Sequence, residues 1–162
     1  MSSHDGRVYI SAKSDYALRA TLTLAAAEAP MTAEAIAAAQ QLPPGFLDRI
    51  LGDLRLAGVL TSQRGPSGGW RLARPADTVT VGDVMRAVDG PLAQVHGLPP
   101  ELTEYRGPAA HLQELWVAVR ASMRTVLDRV TLADLAAGRL PADVRRLLDD
   151  PDAWTAKVQR RR

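Results

Sequence analysis

The run Gly65-Pro66-Ser67-Gly68-Gly69 suits neither the interior of a helix nor that of a strand, and short β-prone stretches flank it. Proline removes a backbone donor, and glycine supplies the positive φ that tight reversals need. Val59-Leu60-Thr61-Ser62-Gln63-Arg64 therefore reads as one strand and Trp70-Arg71-Leu72 as its return, an antiparallel hairpin with a five-residue tip at residues 65–69.

Everything before this hairpin is helical in pattern. Ser11 can cap a helix to about Ala27, with Leu18, Leu22 and Ala25/Ala26 at helical spacing, and Ala29-Pro30 ends it. Thr32 caps a short Ala-rich helix, Ala33 to Gln40, with Glu34 in the first turn where the helix dipole favours negative charge. After the turn at Gln41-Leu42, Pro44 fits the first position of a third helix, since its missing N–H costs nothing there. That helix runs to about Ala57, and Leu47, Ile50, Leu51 and Leu54 form an i, i+3, i+4, i+7 stripe for burial, with Gly58 as the C-terminal cap.

Beyond the hairpin, Thr80 caps a fourth helix to about Asp89, with Asp83 completing a capping box. Gly90-Pro91 breaks it, and residues 92–108 read as a connecting loop rich in glycine and proline. The longest helix is expected from Ala109 to Val130. Its apolar residues Leu112, Trp116, Val119, Met123, Val126 and Val130 alternate steps of four and three, the spacing of a coiled-coil seam. Thr131 caps a short helix ended by Gly138, and two further helical pieces are expected at Pro141–Leu148 and Pro151–Val158.

Composition narrows the possibilities further. A chain of 162 residues with 46% hydrophobic content supports one domain plus an oligomerisation element. Aromatics are only 4%, so the core must be built from Ala, Leu and Val, which suits close-packed helices. The absence of cysteine removes disulfides, thiolate zinc sites, cysteine-ligated iron–sulfur clusters and cysteine nucleophiles. No apolar run approaches ~20 residues, and Met1 to Arg7 lack a hydrophobic secretory core, so a cytoplasmic protein without membrane contact is expected. The histidines His4, His96 and His111 lack metal-ligand spacing, so no metal is expected. The glycine-rich turn is no phosphate loop, because no Lys-Ser/Thr follows it, and no catalytic set has a supporting frame. An enzyme is not expected.

Net charge is only +2, but residues 41–75 carry Arg49, Arg55, Arg64, Arg71 and Arg74 against Asp48 and Asp53. All basic residues except Lys13 and Lys157 are Arg, which suits bidentate recognition of phosphate or guanine. G+C-rich coding would give the same bias, because Ala, Arg and Leu are all abundant.

Three helices followed by a two-stranded ribbon make a winged helix-turn-helix. The expected fold is mainly α, with a two-stranded β-wing and a long C-terminal dimerisation helix. Residues 1–90 would form the DNA-binding domain, 91–108 a connecting loop, and 109–162 the dimerisation helix, short helices and a basic tail ending in Arg160-Arg161-Arg162. In this arrangement the third helix offers its outer face to a major groove and the ribbon tip reaches the neighbouring backbone or minor groove. The DNA-contact candidates on the third helix are Gly45, Phe46, Asp48 and Arg49, lying away from the apolar stripe. Asp48 could accept from a cytosine amino group and Arg49 could contact guanine or phosphate, or pair with Asp53 one turn later. On the wing the candidates are Arg64, Gly65, Ser67, Gly68, Gly69 and Arg71, and at the start of the first helix Lys13 and Ser14 are phosphate candidates or plain capping residues. Leu112, Trp116, Val119, Met123, Val126 and Val130 would form the homodimer interface.

Four segments also resemble a known family. Ser11-Ala12-Lys13-Ser14-Asp15-Tyr16-Ala17-Leu18-Arg19-Ala20 looks like the opening S-x-K-x-x-Y-A-L-R-A of the Rrf-type bacterial transcription regulators, which include IscR, NsrR and CymR. Phe46-Leu47 to Leu60 is similar to their Y-L-E-x-x-L-x-x-L-R-x-A-G-L-V. The wing, Arg64 to Pro75, is similar to R-G-P-G-G-G-Y-x-L-A-R-P, and Thr131-Leu132-Ala133-Asp134-Leu135 to T-L-A-D-L. The resemblance spans roughly residues 8–136. It implies a homodimeric winged-helix regulator, read here as a repressor of a pseudo-palindromic double-stranded operator, with Arg64 entering a minor groove.

Many members of that family carry an iron–sulfur cluster held by three cysteines in the loop before the long helix, and residues 92–108 have none. Where the IscR branch has a further histidine ligand, three residues before the tryptophan, this chain has Gln113. No cofactor is expected, and the effector is left as an unknown small molecule or protein. A winged helix used for protein contact or ligand sensing, with DNA binding secondary, is the alternative.

Overall fold

The computed structural model describes residues 10–156, and the chain order is three helices, a hairpin, and four further helices. Helix α1 (Ala12–Ala26) begins at Ser11, whose hydroxyl accepts from the Ser14 N–H. Helix α2 (Ala33–Gln40) begins at Thr32, which caps Ala35 in the same way, and Gln41 ends it in the left-handed region. Helix α3 (Pro44–Leu56) has proline in its first turn and no side-chain cap. Strands β1 (Leu60–Gln63) and β2 (Gly69–Leu72) pair antiparallel, Leu60 opposite Leu72 and Gln63 opposite Gly69.

Helix α4 (Val81–Asp89) carries the expected capping box between Thr80 and Asp83, and α6 (Leu132–Ala136) carries a second one between Thr131 and Asp134. Between them lies α5 (Leu112–Leu127). Helix α7 (Ala142–Arg145) continues into a 3-10 turn at Arg146–Leu148, and another 3-10 turn spans Pro151–Trp154. The expected helix Pro151–Val158 is thus only this turn as far as it can be followed; Lys157, Val158 and the arginine tail lie outside the described residues, as does His4.

The core forms where α1 packs against α2, α3, α4 and α6. Ala17 and Ala20 of α1, Ile36 of α2, all four stripe residues of α3, Val84 of α4 and Leu132 of α6 are buried together. Small alanines on α1 let neighbouring helices approach closely, which is how a chain poor in aromatics fills its interior. A second, smaller cluster joins Val81, Met85, Val130 and Val144.

Two findings differ from the sequence pattern. The long helix is shorter than Ala109–Val130: a 3-10 turn occupies Gly107–Ala109, and the helix stops at Leu127. Val130 is taken out of it because its carbonyl accepts from Val81 N–H and its side chain is buried in its own chain. The residues after α5 also return to the first region rather than extending away. Thr80 and Thr131 form a β-bridge, and Leu132 N–H donates to Val79 O at 2.9 Å, so the starts of α4 and α6 are tied side by side.

Candidate nucleic-acid interface

The face of α3 opposite its buried stripe is bare. Gly45, Asp48, Arg49 and Gly52 repeat the i, i+3, i+4, i+7 spacing two residues out of phase with Leu47, Ile50, Leu51 and Leu54. Two residues turn a helix by about 200°, so the two stripes lie on opposite sides. A Cβ added at Gly45 or Gly52 would meet nothing within 4 Å, so packing inside the chain does not require glycine at either site. Both glycines leave α3 slim where a duplex would approach. Phe46 is 69% exposed at the helix start, which removes it from the core and leaves an apolar ring available to a thymine methyl.

The wing is held from beneath by one further rung. Met31 N–H donates to Trp70 O at 3.0 Å, and Trp70 N–H donates to Met31 O at 2.7 Å. This close approach dictates glycine at 69: its φ is +145°, and a Cβ there would lie 2.6 Å from the Met31 carbonyl oxygen. Gly68 is as constrained, with a Cβ falling 2.2 Å from Gln63 O, and its N–H donates to Gly65 O at 3.0 Å to close the tip. The tip glycines therefore build the turn before they do anything else.

Arg64, Ser67 and Arg71 are exposed on this frame, and β2 begins at Gly69, so the loop itself is residues 64–68. Arg49, Arg64 and Arg71 have no carboxylate partner among the described residues, whereas Arg74 and Arg86 both pair with Asp83. Arg49 does not pair with Asp53, because Asp53 is taken by Lys13 at 2.7 Å. That pairing neutralises one of the two acids in the basic segment. Arg55, which the sequence pattern did not single out, lies with its guanidinium 5.9 Å from the centre of the Trp70 ring and links the end of α3 to the wing. Its place among the five arginines of residues 41–75 was the signal for it in the sequence.

Lys13 and Ser14 require a correction. Ser14 is fully buried, and its hydroxyl donates to Asp89 Oδ2 at 2.6 Å. Ser11 donates to the same oxygen. Lys13 Nζ donates to Val88 O at 2.6 Å as well as reaching Asp53. These side chains lock α1 to α3 and α4, and a buried hydroxyl cannot meet a phosphate.

The frame behind the interface is electrostatically tight. Burial pushes the Asp83 carboxyl up, but the Thr80 N–H, the Arg86 guanidinium, the Thr80 hydroxyl and the Arg74 charge outweigh it and hold it below its ordinary range. Burial likewise opposes the Arg86 charge, and the Asp128 and Asp83 carboxylates more than restore it. Arg86 reaches Asp128 at 2.8 Å and so ties α4 to the end of α5.

The seam residues Leu112, Trp116, Val119, Met123 and Val126 are half-buried, and no residue of α5 is fully buried, in contrast to every helix of the core. Leu115 and Val117 add exposed apolar surface to the same helix.

Residues 10–138 match the model of a family described as Rrf2, iron-dependent transcriptional regulator. The chain belongs to the Rrf2 family. Among curated relatives of this Rrf2 protein, a helix-turn-helix-type regulator of Mycobacterium tuberculosis is 46% identical over 143 residues, 87% of this chain and 89% of that protein. CymR of Bacillus subtilis is 36% identical over 130 residues, 79% of this chain and 89% of CymR. Among solved structures, that of CymR, described as the global cysteine regulator of B. subtilis, matches with a TM-score of 0.68 at 34% identity, covering 83% of this chain and all of that one. The IscR of T. potens matches with a TM-score of 0.64 at 28% identity, over 93% of each chain. The fold is thus a winged helix of the Rrf2 type, and the protein is a transcriptional regulator rather than an enzyme.

The family description raises the question of iron. The donor set does not fit the cluster: the chain contains no cysteine. Gln113, at the position of the extra histidine, spends its amide on Glu101 O at 3.0 Å and Thr103 O at 2.8 Å. Among the described residues no three His, Asp or Glu side chains gather as a metal site. No helix among them is long and apolar enough to cross a membrane.

Proposed function

We propose that this Rrf2 regulator binds a pseudo-palindromic operator as a homodimer and represses transcription without an iron–sulfur cluster. The observation that carries the DNA reading is the pairing of two exposed elements. The slim polar face of α3, with Asp48 and Arg49, stands beside a wing whose Arg64 and Arg71 have no acidic partner among the described residues. Guanidinium groups left unpaired beside a groove-sized helix suit phosphate and base edges.

The apolar seam of α5 supports the dimer, because monomeric proteins seldom leave such a stripe uncovered. A dimer would set two α3 helices about one DNA turn apart, ~34–36 Å, and so select a two-fold operator. On the repressor reading, the operator overlaps a promoter and the bound dimer excludes polymerase from it.

The test is a binding series with purified full-length protein over rising salt. Affinity should fall linearly on logarithmic axes as counterions are released. Salt-independent binding, or none to any genomic fragment, would refute the reading. Binding should survive a chelator, since the chain has no cysteine and no three His, Asp or Glu side chains gather as a metal site among the described residues.

A further inference from the structure

A cavity of about 250 Å³ is lined by Arg86 of α4, Gly90, Pro91 and Leu92 of the following turn, and Arg120 and Arg124 of α5, with no residue of the wing or α3 in its lining. Three guanidinium groups from two helices around one cavity are costly in a protein unless anions balance them. The balance here is uneven. Arg86 is held by Asp83 and Asp128. Arg120 is held by Glu101 at 2.5 Å, and its side chain is only 15% exposed. Arg124 has no carboxylate within ion-pair distance among the described residues.

Glu101 is the most exposed of the three acids that hold these arginines. It sits on the 3-10 turn Pro100–Leu102 of the connecting loop, with half of its side chain in solvent. Its carboxyl is held below the usual range by its own backbone N–H first, then by the Arg120 guanidinium, with the more distant Arg124 charge adding to the effect. Arg120, which Glu101 holds, and Arg124, which no acid holds among the described residues, both line the cavity. They lie one turn apart on the side of α5 that also presents Gln113 and Leu127, and both of these contact the protein's own chain. The proposed dimer seam, Leu112, Trp116, Val119, Met123 and Val126, lies on the adjoining side of α5.

We propose that this cavity binds a small organic carboxylate, whose charged end replaces Glu101 on Arg120 and takes Arg124 as a second donor, with its short apolar body against Pro91 and Leu92. Guanidinium groups match carboxylates two bonds at a time, and the proline–leucine floor favours carbon over a bare inorganic ion. The volume corresponds to about eight waters at ~30 Å³ each, room for a four- to six-carbon acid. Displacing Glu101 removes one of the ties between the connecting loop and α5, leaving the Gln113 bonds. The site joins α4, which is packed on α3, to the helix that carries the seam. It is therefore placed to act on both, and it gives this cysteine-free regulator a signal other than a cluster.

The test is titration calorimetry on the full chain at fixed ionic strength, with acetate, succinate, citrate and inorganic phosphate as probes. Succinate or citrate should bind, and phosphate more weakly. Arg124→Gln, at an exposed position, should weaken binding by about tenfold, the usual size of a lost charge-assisted bond. Glu101→Gln should tighten it several-fold by removing the internal competitor. Two-way change from these variants is something loss of folding does not produce. The proposal fails if no acid binds the wild type or Glu101→Gln, if Arg124→Gln binds like wild type, or if phosphate binds as well as the carboxylates. Direct titration also keeps this result separate from the DNA reading, which requires no ligand.

Discussion

Helix α3 and helix α5 are both amphipathic, yet their apolar stripes have different fates. In α3 the residues Leu47, Ile50, Leu51 and Leu54 are all buried by neighbours within the chain. In α5 the residues Leu112, Trp116, Val119 and Met123 are only half covered. The difference lies in what surrounds each helix. Helix α3 has α1, α2, α4 and β1 packed on it, whereas α5 touches mainly the turn at Pro100–Leu102 and the edge of α4. An apolar stripe in sequence therefore announces burial without saying by whom. The first stripe builds the subunit, and the second is the one that the proposed dimer would cover. The polar faces differ in the same sense: that of α3 is stripped to two glycines, an acid and an arginine, while that of α5 carries Arg120, which reaches back to Glu101 of its own chain.

Substitutions can break this contrast. The largest effect is expected in α3: Leu54→Ala should cost ~2–5 kcal/mol in chemical denaturation, because the side chain is fully buried and leaves a cavity. Leu115→Ala on α5, half exposed, should stay within ~0.5 kcal/mol in the same experiment. Equal losses at the two sites would mean that α5 is part of the subunit core.

The assembly half is tested by Trp116→Glu combined with Met123→Glu. Sedimentation should show monomers while helical content by circular dichroism is retained. Dimers that persist would move the interface off α5.

Two interface variants sharpen the polar side of the comparison. Asp48→Ala should relax base preference by ~1–3 kcal/mol at one position of each half-site. Arg64→Ala should weaken binding most on operators with A·T-rich flanks, where a narrow minor groove attracts guanidinium. It should also lower the salt slope by about one. A panel of single-base operator variants reads both. An unchanged preference in Asp48→Ala would take α3 out of the major groove, and wild-type affinity in Arg64→Ala would take the wing out of the minor groove.

The smallest effect concerns the frame shared by the two regions. The Asp83 carboxyl is lowered in the folded state, so it contributes stability above the ordinary carboxylate pKa, ~3.9, and loses it as pH falls through the folded value. Wild-type stability should decline more steeply than that of Asp83→Asn as pH drops below about 4. Parallel declines would show that the ties to Thr80, Arg86 and Arg74 add nothing. Gly82→Ala probes the same junction mechanically, since its Cβ would fall 2.0 Å from Asp128 Oδ1 and push that carboxylate off Arg86.

Much of the architecture was legible before any fold was known, and for local reasons. Ser11, Thr32, Thr80 and Thr131 each cap the helix that their position in the chain announces. A cap acts over three residues, a proline over one, and an apolar stripe over two turns, so each can be read without knowing what packs where. The hairpin is of the same kind, since its tip must be built from residues that tolerate the turn.

The misreadings share the opposite property. Lys13 and Ser14 looked like phosphate ligands because their true partners, Val88 and Asp89, lie 75 residues away. Asp53 looked like a partner for Arg49 because it was one turn along, yet Lys13 reaches it from another helix. Val130 continued the seam by spacing alone, and only the bridge from Thr80 to Thr131 pulls it into the core.

The sequence by itself determined the helices, the hairpin, the bare face of α3 and the lack of thiolate donors, because each depends on near neighbours or on residue type alone. The tertiary structure alone decided which charges are spent and which remain available. It gave Lys13 to Asp53, gathered Arg86, Arg120 and Arg124 around one cavity, and left Arg64 and Arg71 without a carboxylate among the described residues. Charge pairing acts over a few ångströms of space whatever the distance along the chain, so it appears only once packing has brought the helices together.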